Sequence, residues 1–194
     1  MQRTILFFGD SLTAGYGIGA GQAFPALLQP RLDAAGLAYR AVNAGQSGDT
    51  STSGRARLPA TLARHPQPDI FVLELGANDG LRGHPPATTR ANLDAILTAV
   101  RQQHAPVRFL LLGMALPPLL GGPSAAAFGG VFAEVAARHN CAFVPFLLDG
   151  IMLNAALTLP DRLHPNAAGQ RRMADVVWAA LRPLLLRELP PPAL

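Results

Sequence analysis

Residues 5–13 read Ile-Leu-Phe-Phe-Gly-Asp-Ser-Leu-Thr, four apolar residues that stop at a glycine and pass into polar ones. Four more short apolar runs follow, each ending at a glycine, an asparagine or a proline: residues 39–42, 70–75, 109–112 and 142–144. Short continuous apolar runs bounded by turn residues are typical of buried strands. The sequence therefore predicts five buried β-strands.

Longer amphipathic segments separate these runs and predict helices over residues 23–35, 52–64, 88–104, 124–139 and 167–186. Regular alternation of strand and helix indicates an α/β protein, with a five-stranded parallel sheet and helices on both faces. The 194 residues suit one domain, which we place at 1–187, with a proline-rich tail at 188–194.

The composition excludes several function classes. All 16 basic residues are arginine, and without lysine the chain cannot form a P-loop, a Schiff base or a Ser-Lys hydrolase site. The arginines are scattered without a basic run, which argues against nucleic-acid binding. The single cysteine excludes an internal disulfide framework, and no apolar run approaches the ~20 residues of a membrane span.

The amino terminus bears on localisation. No signal-peptide pattern opens the sequence as given. We therefore expect a cytoplasmic protein as written, and a periplasmic or secreted one if a signal peptide has been removed.

Polar segments stand where the predicted strands end. Residues 9–13, 43–50 and 76–80 follow the first three strands, and residues 161–165 precede the last helix. In sheets of this kind the functional residues gather beyond the carboxyl ends of the strands. We therefore expect these four segments to meet at one edge of the sheet.

Together the four segments supply the groups that acyl transfer needs. Ser11 offers a hydroxyl nucleophile, His164 a base, and Asp161 a carboxylate close enough in a tight turn to orient the imidazole. Donors for an oxyanion are available from the backbone N–H groups of Ser11 and Gly48 and from the side-chain amide of Asn78. The neighbouring carboxylates, Asp10 and Asp49, are expected to hold loops by accepting from backbone amides.

These residues resemble the sequence blocks of the GDSL, or SGNH, hydrolases. Residues 9–12 (Gly-Asp-Ser-Leu) look like block one, Gly48 like block two, residues 76–79 (Gly-Ala-Asn-Asp) like block three, and residues 161–165 (Asp-Arg-Leu-His-Pro) like block five. The similarity is greatest to the bacterial subgroup of multifunctional thioesterases, arylesterases and lysophospholipases. It implies a flavodoxin-like three-layer α/β/α fold, no metal or organic cofactor, and hydrolysis of esters or thioesters.

The candidate substrate contacts lie beside these blocks: Leu12, Asp79, Leu81, Met114 and Leu116. The last two border an apolar stretch, residues 116–130, where the family carries more polar residues on a loop of the substrate cleft. We expect this stretch to form a flexible, apolar wall that favours acyl or aryl groups over sugars.

The sequence thus predicts a serine esterase that acts on aryl and short-to-medium acyl esters, and on thioesters, through a covalent acyl-enzyme. Alternatives within the family are a lysophospholipase and a carbohydrate acetylesterase. Outside it, a flavin- or nucleotide-binding module and a metal-dependent phosphoesterase built on the site carboxylates remain open. An α/β-hydrolase fold is disfavoured because residues 9–13 lack the G-x-S-x-G elbow.

Overall fold

The computed structural model describes residues 2–104, 106–115 and 124–186. Five strands form one sheet, in which every neighbouring pair is parallel and the spatial order is β2-β1-β3-β4-β5. The strands are β1 (Arg3–Gly9), β2 (Tyr39–Asn43), β3 (Ile70–Glu74), β4 (Arg108–Leu112) and β5 (Ala142–Val144). The predicted five-stranded parallel sheet is confirmed.

Among the described residues, five long α-helices lie where the sequence predicted them, and two short α-helices lie in the polar segments that follow β1 and β3. The short helices are α1 (Ser11–Ala14), directly after β1, and α4 (Ala77–Leu81), directly after β3. The long helices are α2 (Phe24–Ala34), α3 (Ser51–Arg64), α5 (Pro86–Gln103), α6 (Ser124–His139) and α7 (Ala167–Leu186). Within the apolar stretch, residues 124–130 belong to α6, while residues 116–123 and the tail at 188–194 lie outside the described residues.

The helices pack in two groups, one on each face of the sheet. On one side α2 contacts α7 and β2, and on the other α3 packs on α5, which packs on α6. The middle strands are therefore covered on both faces, and all five residues of β3 are buried. This burial explains why the strands read as uninterrupted apolar runs. None of the helices in the described parts of the chain combines the length and apolarity needed to cross a bilayer.

The strand order places the candidate site. After β1 the chain moves outward to β2, and it then returns to the other side of β1 to form β3, so the β1–β3 pair is the switch point of the sheet. Ligands of open α/β sheets bind at such switch points, beyond the carboxyl ends of the strands. The segments that begin at Gly9 and Glu74 leave the sheet side by side there, because these two residues are register partners.

Candidate active site

Ser11, the predicted nucleophile, opens the short helix α1. The Asp10 carboxylate caps this helix by accepting from the Leu12 amide at 3.0 Å, as expected for a loop-holding residue. A Cβ at Gly9 would overlap the Thr13 hydroxyl and the Glu74 backbone, so the chain turns here only because residue 9 is glycine. Ser11 is thereby held at the end of β1, nearly buried, with its hydroxyl at the rim of a cavity.

His164 and Asp161 lie in one tight turn before α7. One oxygen of the Asp161 carboxylate accepts from the Leu163 and His164 amides, both at 2.9 Å, and the other lies 2.7 Å from His164 Nδ1. Partial burial raises the pKa of Asp161, but the hydrogen bonds from the His164 ring and from the two amides outweigh it, and the net pKa lies below its usual value. Asp161 is therefore held as a carboxylate facing the ring.

The structure brings His164 to Ser11. His164 Nε2 lies 3.0 Å from Ser11 Oγ, across 153 positions of sequence. Because an ionised carboxylate can only accept, the proton between Asp161 and His164 resides on Nδ1, which leaves Nε2 free to accept from the serine hydroxyl. The Ser11 hydroxyl also lies 3.5 Å from the Asp10 carboxylate, a longer contact than that to the imidazole. The arrangement can remove the Ser11 proton as the hydroxyl attacks.

The three predicted oxyanion donors are the backbone amides of Ser11 and Gly48 and the side-chain amide of Asn78. Among the described residues neither the Ser11 nor the Gly48 amide donates a hydrogen bond. Gly48 adopts a φ of 87°, and Arg82 holds its carbonyl at 3.1 Å. The Asn78 side-chain amide instead donates to the Asp49 carbonyl at 2.8 Å and approaches Asp10 at 3.3 Å. Two donors are therefore free, whereas Asn78 must redirect one N–H to meet an oxyanion.

A cavity opens beside Ser11 and His164, and its lining is almost entirely apolar. The predicted contacts Leu12, Leu81 and Met114 lie in this lining, whereas Leu116 lies outside the described residues. Ala115 and Phe128 also line the cavity, and they adjoin or belong to the apolar stretch that we expected to form a wall. The sequence analysis missed the other apolar members, which come from separate segments of the chain: Ala77, Leu148, Met152 and Leu163.

The prediction that Asp79 contacts substrate is wrong. Its carboxylate is fully buried behind the site, where it accepts from the Ser51 amide at 2.7 Å and from the Ser51 hydroxyl at 2.5 Å, with Thr89 at 3.3 Å. Successive residues of a helix point in different directions, so Asp79 faces inward although Asn78 faces the cavity. The role of Asp79 is to join α4 to the start of α3.

Asp49 also differs from expectation. Within the described parts of the chain, its carboxylate accepts from the side chains of Arg57 and, at 2.9 Å, of Ser53, and not from backbone amides. Arg57 in turn donates to the Gly9 carbonyl at 2.9 Å and lies 4.0 Å above the Phe8 ring. This pair therefore ties the loop after β2 to the end of β1. In the described parts of the chain, no three His, Cys, Asp or Glu side chains converge as a metal site would require.

Glu74 is a further buried carboxyl close to Ser11, at the end of β3. Glu74 Oε2 accepts from the Thr13 hydroxyl at 2.7 Å and from the Asp10 amide at 3.2 Å, whereas Oε1 is buried without a partner among the residues that the structure describes. Burial, reinforced by the nearby Asp10 charge, raises the pKa of Glu74 well above its usual value. Burial also raises the pKa of Asp10 to about 6. A lone charge in the apolar run of β3 is the sequence signal that could have revealed Glu74.

Gln170 joins the two parts of the site. This buried side chain on α7 donates to the Leu12 carbonyl at 3.1 Å and accepts from the Phe24 amide at 2.7 Å. It thus links the helix that follows His164 to α1, which begins with Ser11, and to the start of α2. No motif marks this residue in the sequence.

Comparison with known proteins adds an independent result. The family model for the GDSL-like Lipase/Acylhydrolase family matches residues 7–172. The chain is 45% identical over 183 residues to esterase TesA of Pseudomonas aeruginosa, covering 94% of this chain and 90% of that protein. It is 38% identical over 182 residues to thioesterase 1/protease 1/lysophospholipase L1 of Escherichia coli, covering 94% of this chain and 85% of that protein.

A solved structure is similar over the whole chain. The crystal structure of the psychrotrophic esterase EstA from Pseudoalteromonas sp., inhibited by monoethylphosphonate, matches with a TM-score of 0.87 at 31% identity. The match covers 95% of this chain and 100% of that one.

Proposed function

The chain belongs to the GDSL-like lipase/acylhydrolase family and is a carboxylic ester hydrolase, and on this premise we propose that it works by acyl transfer through Ser11, His164 and Asp161. The observation that carries the proposal is the continuous chain of contacts from Asp161 to His164 Nδ1 at 2.7 Å and from His164 Nε2 to Ser11 Oγ at 3.0 Å. Both distances are within hydrogen-bond range without rearrangement.

In the first half-reaction Ser11 Oγ attacks the acyl carbon and His164 Nε2 takes the serine proton. Asp161 stabilises the imidazolium that forms without itself becoming protonated. The oxyanion receives the free Ser11 and Gly48 amides and, after reorientation, the Asn78 amide. His164 then gives the proton to the leaving alcohol or thiol, and the acyl group remains on Ser11.

In the second half-reaction a water molecule replaces the leaving group. His164 removes a proton from the water, which attacks the acyl carbon and forms a second oxyanion in the same place. Collapse of this intermediate releases the carboxylic acid, and the proton on His164 returns to Ser11. The same base therefore serves both halves of the cycle.

The cavity supports acyl and aryl groups as the substrate portion that it holds. Of the described residues, nine apolar side chains line it, and the polar ones are Ser11, Asn78 and His164, which belong to the proposed chemistry. A sugar would bury hydroxyl groups against apolar carbon without hydrogen-bond partners, at a cost of ~1–3 kcal/mol each. We therefore favour aryl and acyl esters and thioesters over carbohydrate acetates.

The test measures kcat/KM for matched p-nitrophenyl esters and acyl thioesters of increasing chain length, with Ser11→Ala as the blank. We expect activity on both bond types and a loss of about 10⁴-fold or more in kcat for Ser11→Ala. An alkyl phosphonate should label the wild type once, on Ser11, as read by peptide mass spectrometry. Full activity of Ser11→Ala would refute the mechanism, and strict preference for a carbohydrate acetate would refute the substrate class.

A further inference from the structure

Tyr16 contacts the proposed base. Its ring centroid lies 4.5 Å from that of His164, with the two ring planes inclined at 43°. Tyr16 is nevertheless 52% exposed, so the contact uses one side of a tyrosine that is otherwise in solvent. A half-exposed aromatic ring has few contacts that hold it in place, and the aromatic ring that Tyr16 contacts is the imidazole of His164.

We propose that Tyr16 is a positioning residue, which restrains the His164 ring and stabilises the imidazolium formed when His164 takes the serine proton. The inference rests on the proposed role of His164 as the base. Tyr16 itself exchanges no proton in this scheme and makes no bond to the substrate. It acts entirely through the ring of His164.

The backbone ties Tyr16 to the nucleophile. The amides of Gly15 and Tyr16 both donate to the Ser11 carbonyl at 3.0 Å, which closes α1 immediately before the tyrosine. Gly15 makes this possible through a φ of 80°, and a Cβ there would lie 2.7 Å from that of Ala23. The backbone of Tyr16, from which its ring extends, is therefore held close to Ser11.

The two hydrogen bonds of His164 do not restrain every motion of its ring. The bonds at Nδ1 and Nε2 act through the edge of the imidazole, so they restrain its two nitrogens but place no group against its face. Contact with the Tyr16 ring adds a further restraint. Aromatic pairs with centroids about 4.5–7 Å apart are in the favourable range.

The contact also suits the charged state of the base. During attack His164 becomes a cation, and the face of an aromatic ring attracts a cation within about 6 Å of its centroid. The Tyr16 hydroxyl has no hydrogen-bond partner among the described residues, so the ring and not the hydroxyl carries the effect. Phenylalanine should therefore replace Tyr16, whereas alanine should not.

The test compares Tyr16→Ala, Tyr16→Phe and the wild type on a small aryl acetate, with kcat and KM determined separately. A contribution of the size of an aromatic pair corresponds to a loss of about three- to tenfold in kcat for Tyr16→Ala, with KM within about twofold. Tyr16→Phe should stay within about twofold of wild type in kcat. Leu186→Ala, which removes a side chain 65% exposed at the end of α7, is the matched control and should leave kcat unchanged.

A spectroscopic measurement separates positioning from loss of packing. The proton between His164 and Asp161 should give a low-field NMR signal, which we expect to broaden in Tyr16→Ala and to persist in Tyr16→Phe. The inference is overturned if Tyr16→Ala keeps its kcat, if it changes KM alone, or if Tyr16→Phe fails as Tyr16→Ala does. Full activity of His164→Ala would instead overturn the proposed function, so the two failures are distinguishable.

Discussion

Replacing Glu74 by glutamine should make the fold more stable at alkaline pH. The Glu74 carboxyl is fully buried, and burial together with the Asp10 charge raises its pKa well above the usual value. A carboxyl whose pKa is higher in the folded than in the unfolded protein stabilises the fold below the unfolded pKa. That stabilisation is lost as the pH rises through the folded pKa. Glutamine keeps the shape of the side chain, remains neutral, and places an NH₂ group where Oε1 now lacks a partner.

The expected size follows from proton linkage. While Glu74 holds its proton in the folded protein and loses it on unfolding, the free energy of unfolding falls by ~1.4 kcal/mol per pH unit. Asp10, whose pKa is raised from 3.8 to about 6, contributes a fall of the same sign in both proteins. Between about pH 5 and pH 8, we expect the loss in Glu74→Gln to be smaller by ~1.4 kcal/mol for each pH unit over which the folded carboxyl keeps its proton.

The assay is urea denaturation at both pH values, followed by circular dichroism. Glu134→Gln is the matched control, since it makes the same chemical change at a side chain 56% exposed and paired with Arg90. The control should lose as much free energy of unfolding as the wild type between the two pH values. If Glu74→Gln also loses as much as the wild type, the buried carboxyl does not hold a proton and the reasoning is refuted.

Two further predictions concern the cavity and the oxyanion. Asn78→Ala should lower kcat by about 10²–10³-fold with little change in KM, as measured with a p-nitrophenyl ester, and an unchanged kcat would remove Asn78 from the donor set. Phe128→Ala should lower the free energy of unfolding by ~3–5 kcal/mol and move the optimum of kcat/KM to longer acyl chains, because Phe128 is buried and lines the cavity. An unchanged chain-length optimum would show that the acyl group lies elsewhere.

The strands and long helices could be predicted because burial restricts which residue types can occupy their positions. A strand covered on both faces, such as β3, must be apolar throughout, and a long helix has room for a repeating pattern. The short helices α1 and α4 have no room for such a pattern. They arise from single local features, the Asp10 cap and a φ of 125° at Gly76, and neither feature is distinctive in the sequence.

For the site, the sequence predicted which segments meet but not which way every side chain points. Ser11, His164 and Asp161 meet as expected because two of them share one turn and the third stands at the switch point of the sheet. The direction of Asp79 could not be predicted, since Asp79 follows Asn78 in the short helix α4, which the sequence does not reveal, and neighbouring residues of a helix point in different directions. Phe128 lies in the apolar stretch that was predicted to line the cleft, but Leu148 and Met152 were not predicted, because they approach the cavity only through tertiary packing, which local sequence spacing does not show.

The hydrogen bonds of Gln170 have a consequence for how the protein becomes active during its synthesis. A ribosome delivers Ser11 and its short helix early, but the proposed base arrives some 150 residues later, and the Gln170 side chain then docks α7 against Leu12 and Phe24. A nascent chain that has folded most of its sheet would therefore carry an exposed serine without a partner and remain inert. Esterase activity thus reports that α7 has docked, and it would serve as a sensitive marker of that folding step.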